Sequence, residues 1–469
     1  MITSSEKQYI DLYEQTRGMI FSHSVEAMNA VRDAAFEDFK RQGFPTKKVE
    51  RYKYTDMQAL FAPDYGVNLN RLQIPVNPYD AFRCDVPNLS TLLYFVVNDG
   101  APLHLPPTGG SAPSASRTIV SLPEGVFIGS LKEFAEQKPE LVSRYYAKIA
   151  HTDGDAVTAL NTMLAQDGMM VYVPKNTKVE KTVQVINILK SPSSPNTQHP
   201  APQMMVNRRV LIIMEEGAEA KFLFCDHAAD DSPFLTTQVI EAFVGDNASL
   251  DLYCMEETHA KNVRVSNVYI DQQANSRVNH NVITLHNGIT RNRLDLQLNG
   301  EGAECSCNGC VIADKTQHVD NNTLIEHRAT HCTSHELYKY VLDEQATGAF
   351  AGRVLVNHGA QKTESEMRNQ NLCATKEARM FTQPMLEIYA DDVKCPHGST
   401  VGQLNDAALF YMQQRGIGMK EAKLLLQTAF INEVIDQMQL EPLRDRLHYL
   451  VDKRFRGELS KCKGCKLCK

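Results

Sequence analysis

The 469-residue sequence predicts a mainly β protein whose core is a parallel β-helix, flanked by an N-terminal helical region and a C-terminal helical domain. Two observations lead to this fold class. From about Ile119 to Tyr389, short segments rich in Val, Ile, Leu and Phe alternate with Gly, Asn and Asp turns, without a long helical pattern. A turn-like pair followed by Ala also recurs at intervals of 30, 26 and 29 residues, which is typical of stacked coils, at Ala218, Ala248, Ala274 and Ala303.

The length of this region favours a β-helix over closed β architectures. A sandwich or barrel rarely needs about 270 residues of strand, whereas a β-helix adds coils indefinitely, each burying its apolar face on the next. Two successive β-sandwiches give similar turn spacing and remain the alternative. The clearest strands span residues 171–173, 183–188, 210–213, 239–244, 263–270 and 293–298.

Helical patterns occupy both ends of the chain. Residues 24–41 space apolar side chains at three or four positions, which predicts an amphipathic helix. Proline and glycine interrupt regular structure at 105–116, and four prolines do so at 191–202. We therefore expect a helical and irregular region over 1–115, the β-helix over 116–392, a helical domain over 393–460 and a short tail over 461–469.

Three helices are predicted in the C-terminal domain. Asn405 is a suitable N-cap for the first and Gly416 a suitable stop, and the third follows Pro442. Helices this apolar must pack on another surface.

Composition and missing motifs exclude several function classes. The formal charge of −7 argues against a dedicated nucleic-acid binder. No apolar run approaches the roughly 18 residues that span a bilayer, so we expect no membrane partner. Charged side chains interrupt the first 21 residues, where a secretory signal needs its apolar stretch, so we expect a cytoplasmic protein. Phosphate-loop, dinucleotide-binding and zinc-protease motifs are missing, and we expect no enzyme activity.

Cys395 and His397 form the pair with the clearest chemistry. In extended backbone, a spacing of two residues places thiol and imidazole on one side, which suits iron or zinc. Two ligands do not close a metal site, so a real site needs further ligands from elsewhere in the fold or from another subunit. The alternative interpretation is an accidental or structural pair.

Other cysteines are expected in the core. Cys305 and Cys307 alternate onto one face of a strand and Cys310 lies at a turn, and small apolar thiols suit a β-helix interior better than a ligand role. Two further groups are ambiguous: Cys254 with Glu256, Glu257 and His259, and His327 with His331, Cys332 and His335.

The tail contains Cys462, Cys465 and Cys468 among lysines, which favour thiolates. This spacing is similar to the opening of a bacterial ferredoxin motif, but no fourth cysteine follows. We prefer a redox-sensitive tail over metal or cluster contact.

Three segments resemble one known family. Residues 384–404, which contain Cys395 and His397, are similar to the SufD-type members of the SufB/SufD family of the Suf iron–sulfur cluster assembly machinery. Residues 408–434 resemble the C-terminal helical domain that the family shares, and residues 50–56 resemble its E-x-W-K-Y-T stretch, with Tyr in the Trp position. SufB-type sequences have an acidic residue where this chain has Gly398, which favours the SufD type.

The resemblance implies a right-handed parallel β-helix between two helical regions. It implies a non-catalytic scaffold subunit that pairs with a SufB-like homologue, docks a SufC-type ATPase through its C-terminal helices, and supports iron entry and nascent cluster assembly at the SufB interface. The candidate docking residues are then the large side chains of those helices: Phe410, Tyr411, Leu425, Leu426 and Phe430. The family's interface Cys and His map onto Cys395 and His397. The partner then supplies the remaining ligands, so iron or an iron–sulfur cluster is held transiently in the complex and none stably by this chain alone. A homodimer of the isolated chain is a further expectation.

Two other functions remain open. One is the SufB role itself, which accepts sulfur and holds the cluster. The other is a carbohydrate-active enzyme, since parallel β-helices often bind polysaccharide along one face. That activity needs clustered carboxylates and usually exposed aromatics, and the chain is only 7% aromatic.

Overall fold

The computed structural model describes residues 4–77, 91–104, 122–192 and 203–458. Much of both Pro-rich loops and all of the tail 461–469 lie outside these ranges. The helices are α1 (Ser4–Ser22), α2 (Glu26–Asn29), α3 (Arg32–Gln42), α4 (Met57–Leu60), α5 (Leu131–Gln137), α6 (Pro139–Tyr145), α7 (Ala156–Leu164), α8 (Asp406–Gln414), α9 (Met419–Ile435) and α10 (Glu441–Phe455), with a 3-10 helix at Glu50–Tyr52.

Most of the chain between the helical ends is β-structure. The first strands are β1 (Gly66–Val67), β2 (Thr91–Val97), β3 (Leu103–His104), β4 (Phe127–Ser130), β5 (Met169–Val173), β6 (Thr182–Leu189) and β7 (Met204–Met214). The middle strands are β8 (Glu219–Ala228), β9 (Phe234–Val244), β10 (Ser249–Glu257), β11 (Val263–Gln272), β12 (Arg277–His286), β13 (Ile289–Leu298) and β14 (Glu304–Ala313). The last strands are β15 (His318–His327), β16 (Thr333–Leu342), β17 (Thr347–Val356), β18 (Thr363–Cys373), β19 (Arg379–Ile388), β20 (Val393–Lys394) and β21 (His397–Gly402).

From β5 to β20, consecutive strands alternate between two sheets. The first sheet has the order β19-β17-β15-β13-β11-β9-β7-β5-β4 and the second the order β20-β18-β16-β14-β12-β10-β8-β6-β2-β3; β1 adds to β7 and β21 to β18. Neighbouring strands are parallel except for the pairs β2–β3 and β4–β5. Each coil therefore contributes one strand to each sheet. The predicted parallel β-helix is confirmed, and the alternative of two β-sandwiches is wrong, because sandwiches are built from antiparallel pairs.

The extent of the β-helix differs from the predicted range of 116–392. Thr91–Val97 already pairs with β6 of the second sheet, and His397–Gly402 extends that sheet beyond residue 392. Helices α5, α6 and α7 lie within the predicted range. At the N-terminus, the single helix predicted over 24–41 is divided into α2 and α3. The buried Arg32 opens α3 and donates to the carbonyl oxygens of Thr162 and Met163.

The coil turns stack in register. Ser249 pairs with both Glu219 and Arg277, so the small residues Ala218, Ala248 and Ser276 follow one another along the stack. The predicted Ala274 is thus two residues away from the true position of the repeat. Each small residue follows a residue with positive φ, a conformation that Gly and Asn tolerate best: Gly217 (67°), Asn247 (57°), Asn275 (53°) and Gly302 (71°).

Apolar side chains fill the interior and both outer faces of the β-helix. Inward-facing residues alternate along each strand, as Val210, Ile212 and Met214 do on β7. Aromatic side chains of α1 and α3 pack through α7 onto the outer face of the first sheet. Apolar side chains of α9 and α10, such as Ile431 and Leu447, cover the outer face of the second sheet. The predicted cap at Asn405 is confirmed, since its Oδ1 accepts a hydrogen bond from the Ala408 N–H at 3.1 Å.

Among the described residues, no helix is both long enough and apolar enough to cross a membrane.

Candidate functional site

Cys395 lies between β20 and β21, and His397 is the first residue of β21, at the end of the second sheet. Thr363 pairs with Val393 and Met367 with His397, so the register of β18 continues unchanged through β20 and β21. The Met367 N–H donates to the Pro396 carbonyl oxygen at 3.1 Å, which keeps the segment between the two short strands extended. Successive side chains of a strand point to opposite faces, so Cys395 and His397 share one face, as predicted.

The shared face is the one that continues the β-helix interior. On β18 the buried side chains alternate through Thr363, Ser365 and Met367, and Cys395 and His397 occupy the equivalent positions one coil later. The Cys395 side chain is half-buried and packs against the interior cluster. Burial raises the pKa of its thiol, and a hydrogen bond from the Ser365 backbone acts in the opposite direction. His397 is exposed.

Within the described chain, no further coil covers this end of the β-helix, which we call the open end: β19, β20 and β21. Here β19 and the terminal strands of the second sheet are edge strands, which present unpaired backbone groups to another chain. Large apolar side chains are exposed around them: Phe381 (40%), Ile388 (41%), Tyr389 (52%) and Val401 (50%). Such a combination is typical of a protein interface.

The pair does not complete a metal site by itself. In the described ranges, no three His, Cys, Asp or Glu side chains converge in a way that holds a metal ion. A thiol and an imidazole still offer two donors of the kind that iron accepts.

Cys305, Cys307 and Cys310 all lie in β14. Cys305 and Cys307 face the interior, as expected of core residues. The expected turn at Cys310 is wrong, because the strand continues to Ala313 and Cys310 packs under the C-terminal helices. Burial raises its pKa to about 12.

Within the described chain, neither ambiguous group forms a cluster that could hold a metal ion. Cys254 is an interior residue, and burial raises its pKa to about 12 and that of Glu256 to about 7. His327 is buried, whereas His331 is a turn residue with a positive φ of 58°. Cys332 occupies the small-residue position of the turn and His335 is exposed, so these side chains serve separate purposes.

The predicted docking residues divide into two sets. Phe410 (62%), Tyr411 (59%) and Leu425 (39%) are exposed on α8 and α9, and we call these three the apolar patch. Leu426 is partly buried. Phe430 is also partly buried, against the second sheet, where its ring lies under the ammonium group of Lys339. Phe430 therefore anchors α9 to the β-helix.

The surroundings of the pair were not predicted from the sequence. Ser365 and Met367 lie beneath it, and exposed apolar residues such as Tyr389 border it. The feature that could have identified these neighbours is the constant offset of 30 residues between paired residues of β18 and of the terminal strands. That offset can be recognised only when the strand register is known. The thiols Cys462, Cys465 and Cys468 lie outside the described residues.

Sequence comparisons agree with this architecture. Residues 196–430 match the family model described as "SUF system FeS cluster assembly, SufBD core domain", and residues 3–185 match the "SufBD protein N-terminal region". An iron-sulfur cluster assembly SufBD family protein of Synechocystis is 27% identical over 425 residues, covering 88% of this chain and 90% of the relative.

Two relatives carry the name iron-sulfur cluster assembly protein SufD. The Escherichia coli protein is 26% identical over 421 residues, covering 89% of this chain and 90% of its own. The Bacillus subtilis protein is 24% identical over 379 residues, covering 79% and 81%. Together, the two matched family models extend over the N-terminal helices, the β-helix and α8.

Proposed function

The chain belongs to the SufBD family of the SUF iron–sulfur cluster assembly system, and from that premise we propose that it is a non-catalytic, SufD-type scaffold subunit. Its task is to present Cys395 and His397 at an interface with a SufB-like homologue, where iron enters and a nascent cluster is assembled. The observation that carries the proposal is the position of both side chains on the interior face of the uncovered terminal coil.

A SufB-like partner fits the open end for two reasons. The edge strands offer backbone hydrogen bonds to a second sheet, so the partner's own coils extend the stack. The exposed Phe381, Ile388, Tyr389 and Val401 then become buried. A second copy of this chain is the competing occupant and is the expected homodimer when the partner is absent.

Cargo binding follows from the donor set. Iron is bound here as cargo, by the imidazole of His397 and a thiol contribution from Cys395, while the partner supplies the missing ligands. Because two donors hold a metal weakly, iron or cluster is retained in the complex and released from the isolated chain. The half-buried thiol is shielded from solvent on one side, whereas the exposed imidazole is free to meet an incoming ion.

We place the SufC-type ATPase on the apolar patch. Phe410 and Tyr411 present two aromatic rings on one short helix, and Leu425 lies on the next helix. Neither aromatic side chain is needed to cover the β-helix, since α9 and α10 do that. Aromatic residues of this kind are common binding hot spots.

The test is anaerobic co-purification with a SufB-like and a SufC-type subunit, followed by iron, sulfide and absorbance analysis. We expect a complex whose iron or cluster content falls in His397→Ala. His335→Ala is the matched control, because this exposed imidazole lies outside the terminal coil. Unchanged cluster content in His397→Ala contradicts the cargo role, and failure to form a complex contradicts the scaffold role.

A SufB role is the second candidate, because the family includes both subunits. Complementation separates them: rescue of a strain that lacks SufB, and not of one that lacks SufD, contradicts our assignment.

A further inference from the structure

A row of polar side chains leads from the β-helix core to Cys395. The register places Cys305, Ser334 and Ser365 side by side on β14, β16 and β18, and the unchanged offset places Ser365 beside Cys395. Ser334 and Ser365 are buried. Their hydroxyl groups therefore interact with protein rather than with bulk water.

The donor and the acceptor of the two hydrogen bonds made by Ser334 follow from the hydrogen atoms that Ser334 and His327 carry. Ser334 Oγ donates to Ser365 Oγ at 2.8 Å, and His327 Nε2 lies 2.9 Å from Ser334 Oγ. Ser334 has a single hydroxyl hydrogen and gives it to Ser365, so His327 must be the donor in its own contact. Burial lowers the pKa of His327 to about 4, which keeps the ring neutral with one N–H, at Nε2. The two hydrogen bonds, from His327 to Ser334 and from Ser334 to Ser365, thus both run toward the open end.

The hydroxyl hydrogen of Ser365 remains available. Its Oγ already accepts from Ser334, and this hydroxyl donates no hydrogen bond of its own within the described chain. The neighbour toward the open end is Cys395. Because adjacent strands are about 4.8 Å apart, one rotation about a Cα–Cβ bond brings the Cys395 sulfur within reach of this hydrogen.

We propose that Ser365 is a positioning residue for Cys395, with its hydroxyl donating to the sulfur while Ser334 and His327 orient that hydroxyl. The inference rests on the proposed function for its purpose, which is to hold a sulfur that carries negative charge when it binds cargo. Aligned donors polarise one another, so the whole row strengthens the final hydrogen bond.

Ser365→Thr and Ser365→Val provide a matched pair, since their side chains have similar shapes and differ in the hydroxyl group. The readout is the rate of iodoacetamide alkylation of Cys395 at pH 8 in the full chain without partners, resolved by peptide mass spectrometry. We expect Ser365→Val to react about fivefold more slowly than the unmodified chain and Ser365→Thr to stay within about twofold of it. Ser334→Ala should fall between them.

Ser399→Ala is the control. Ser399 lies on the same terminal strand but contacts Thr382 and Asn369, so its removal should leave the alkylation rate unchanged. Equal rates for the Thr and Val variants overturn the proposal. If the Val variant does not fold by circular dichroism, Ser365→Ala replaces it, and an unchanged rate there is equally decisive against the positioning role.

This experiment is independent of the proposed function, because it uses neither iron nor a partner. If alkylation of Cys395 is slower in Ser365→Val and the cluster content of His397→Ala is unchanged, the cargo role alone is contradicted. If the alkylation rate of Cys395 is unchanged in Ser365→Val and the cluster content of His397→Ala falls, the positioning role alone is contradicted.

Discussion

The Nζ atom of Lys339 on β16 lies 3.0 Å from the backbone carbonyl oxygen of Phe430 on α9. The same ammonium group forms an ion pair with Glu433 and lies 4.3 Å from the centroid of the Phe430 ring. The Lys339 side chain is only 2% exposed, so one helix provides the hydrogen-bond acceptors seen for this cation in the described chain. Helix α9, which carries Leu425 of the apolar patch, is thus joined to the β-helix through a buried charge.

Replacing Glu433 with Gln should destabilise this junction. The substitution leaves the buried Lys339 ammonium without a countercharge, and we expect a loss of about 2 kcal/mol in the free energy of unfolding, measured by urea denaturation. Lys339→Met, which removes the charge altogether, should cost less. Glu421→Gln is the control. Glu421 lies on α9, as Glu433 does, but forms its ion pair with Arg456 at the protein surface, so the free energy of unfolding should change little. Equal losses for Glu433→Gln and Lys339→Met contradict this account.

Glu336 should make stability depend on pH. Its carboxyl group is buried, and burial raises its pKa to about 7, although a hydrogen bond from the Thr323 side chain acts in the opposite direction. An unfolded chain gives it a pKa of about 4.3, so the folded state binds the proton more tightly. The corresponding stability is fully present below about pH 4 and is lost as pH rises through about 7.

Glu336→Gln should therefore be more stable than the unmodified chain at pH 8, by about 2 kcal/mol, and the gain should be smaller at pH 5.5. Urea denaturation at both pH values measures the difference. Glu377→Gln removes an exposed carboxylate and serves as the control. A gain that is the same at both pH values excludes titration of Glu336 as its cause.

Gly309→Ala should destabilise the β-helix. A Cβ atom at this strand position would lie 2.0 Å from Cδ1 of Tyr338 on the next coil, and the ring is fully packed. We expect a loss of about 2 kcal/mol in the free energy of unfolding, as for other overpacked cores. Gly359→Ala is the matched control, because a Cβ atom added there would meet open space, with nothing beyond its chain neighbours within 4 Å. Similar stability of the two variants contradicts the packing argument.

Charge on the apolar patch should abolish ATPase docking while the chain stays folded. Phe410→Asp and Leu425→Asp change side chains that are exposed, so circular dichroism should remain unchanged. We expect at least about tenfold weaker binding of a SufC-type ATPase, by titration calorimetry, because hot-spot residues typically contribute about 2 kcal/mol or more. Lys423→Ser, an exposed change on α9, is the control. Intact binding in both Asp variants places the ATPase elsewhere.

The coils were predictable because each one meets the same local requirements. Alternating apolar residues and a small residue after each turn are visible in the sequence around Ala218 and Ala248. Pairings between distant segments leave no such local pattern. The pairing of β2 with β6 and the contact of Phe430 with Lys339 join residues about 90 positions apart. This is why the β-helix begins earlier than predicted and why Phe430 proved to be an anchor.

The candidate site was predictable to the same degree. The two-residue spacing was sufficient to place Cys395 and His397 on one face, because alternation is a local property of strands. Which face they share depends on the register with β18, and their accessibility depends on the absence of a covering coil in the described chain. Neither fact is local to the pair.

The fixed 30-residue offset between β18 and the terminal strand has a consequence for how this chain can vary. Deleting or inserting one residue in the turn at 389–392 exchanges the two faces of the last strand. Lys394 and Pro396 then face the interior, and Cys395 and His397 point away from it. The length of this turn can therefore change only in steps of two residues while the pair keeps its place, so the site is encoded by a residue count as well as by its two side chains.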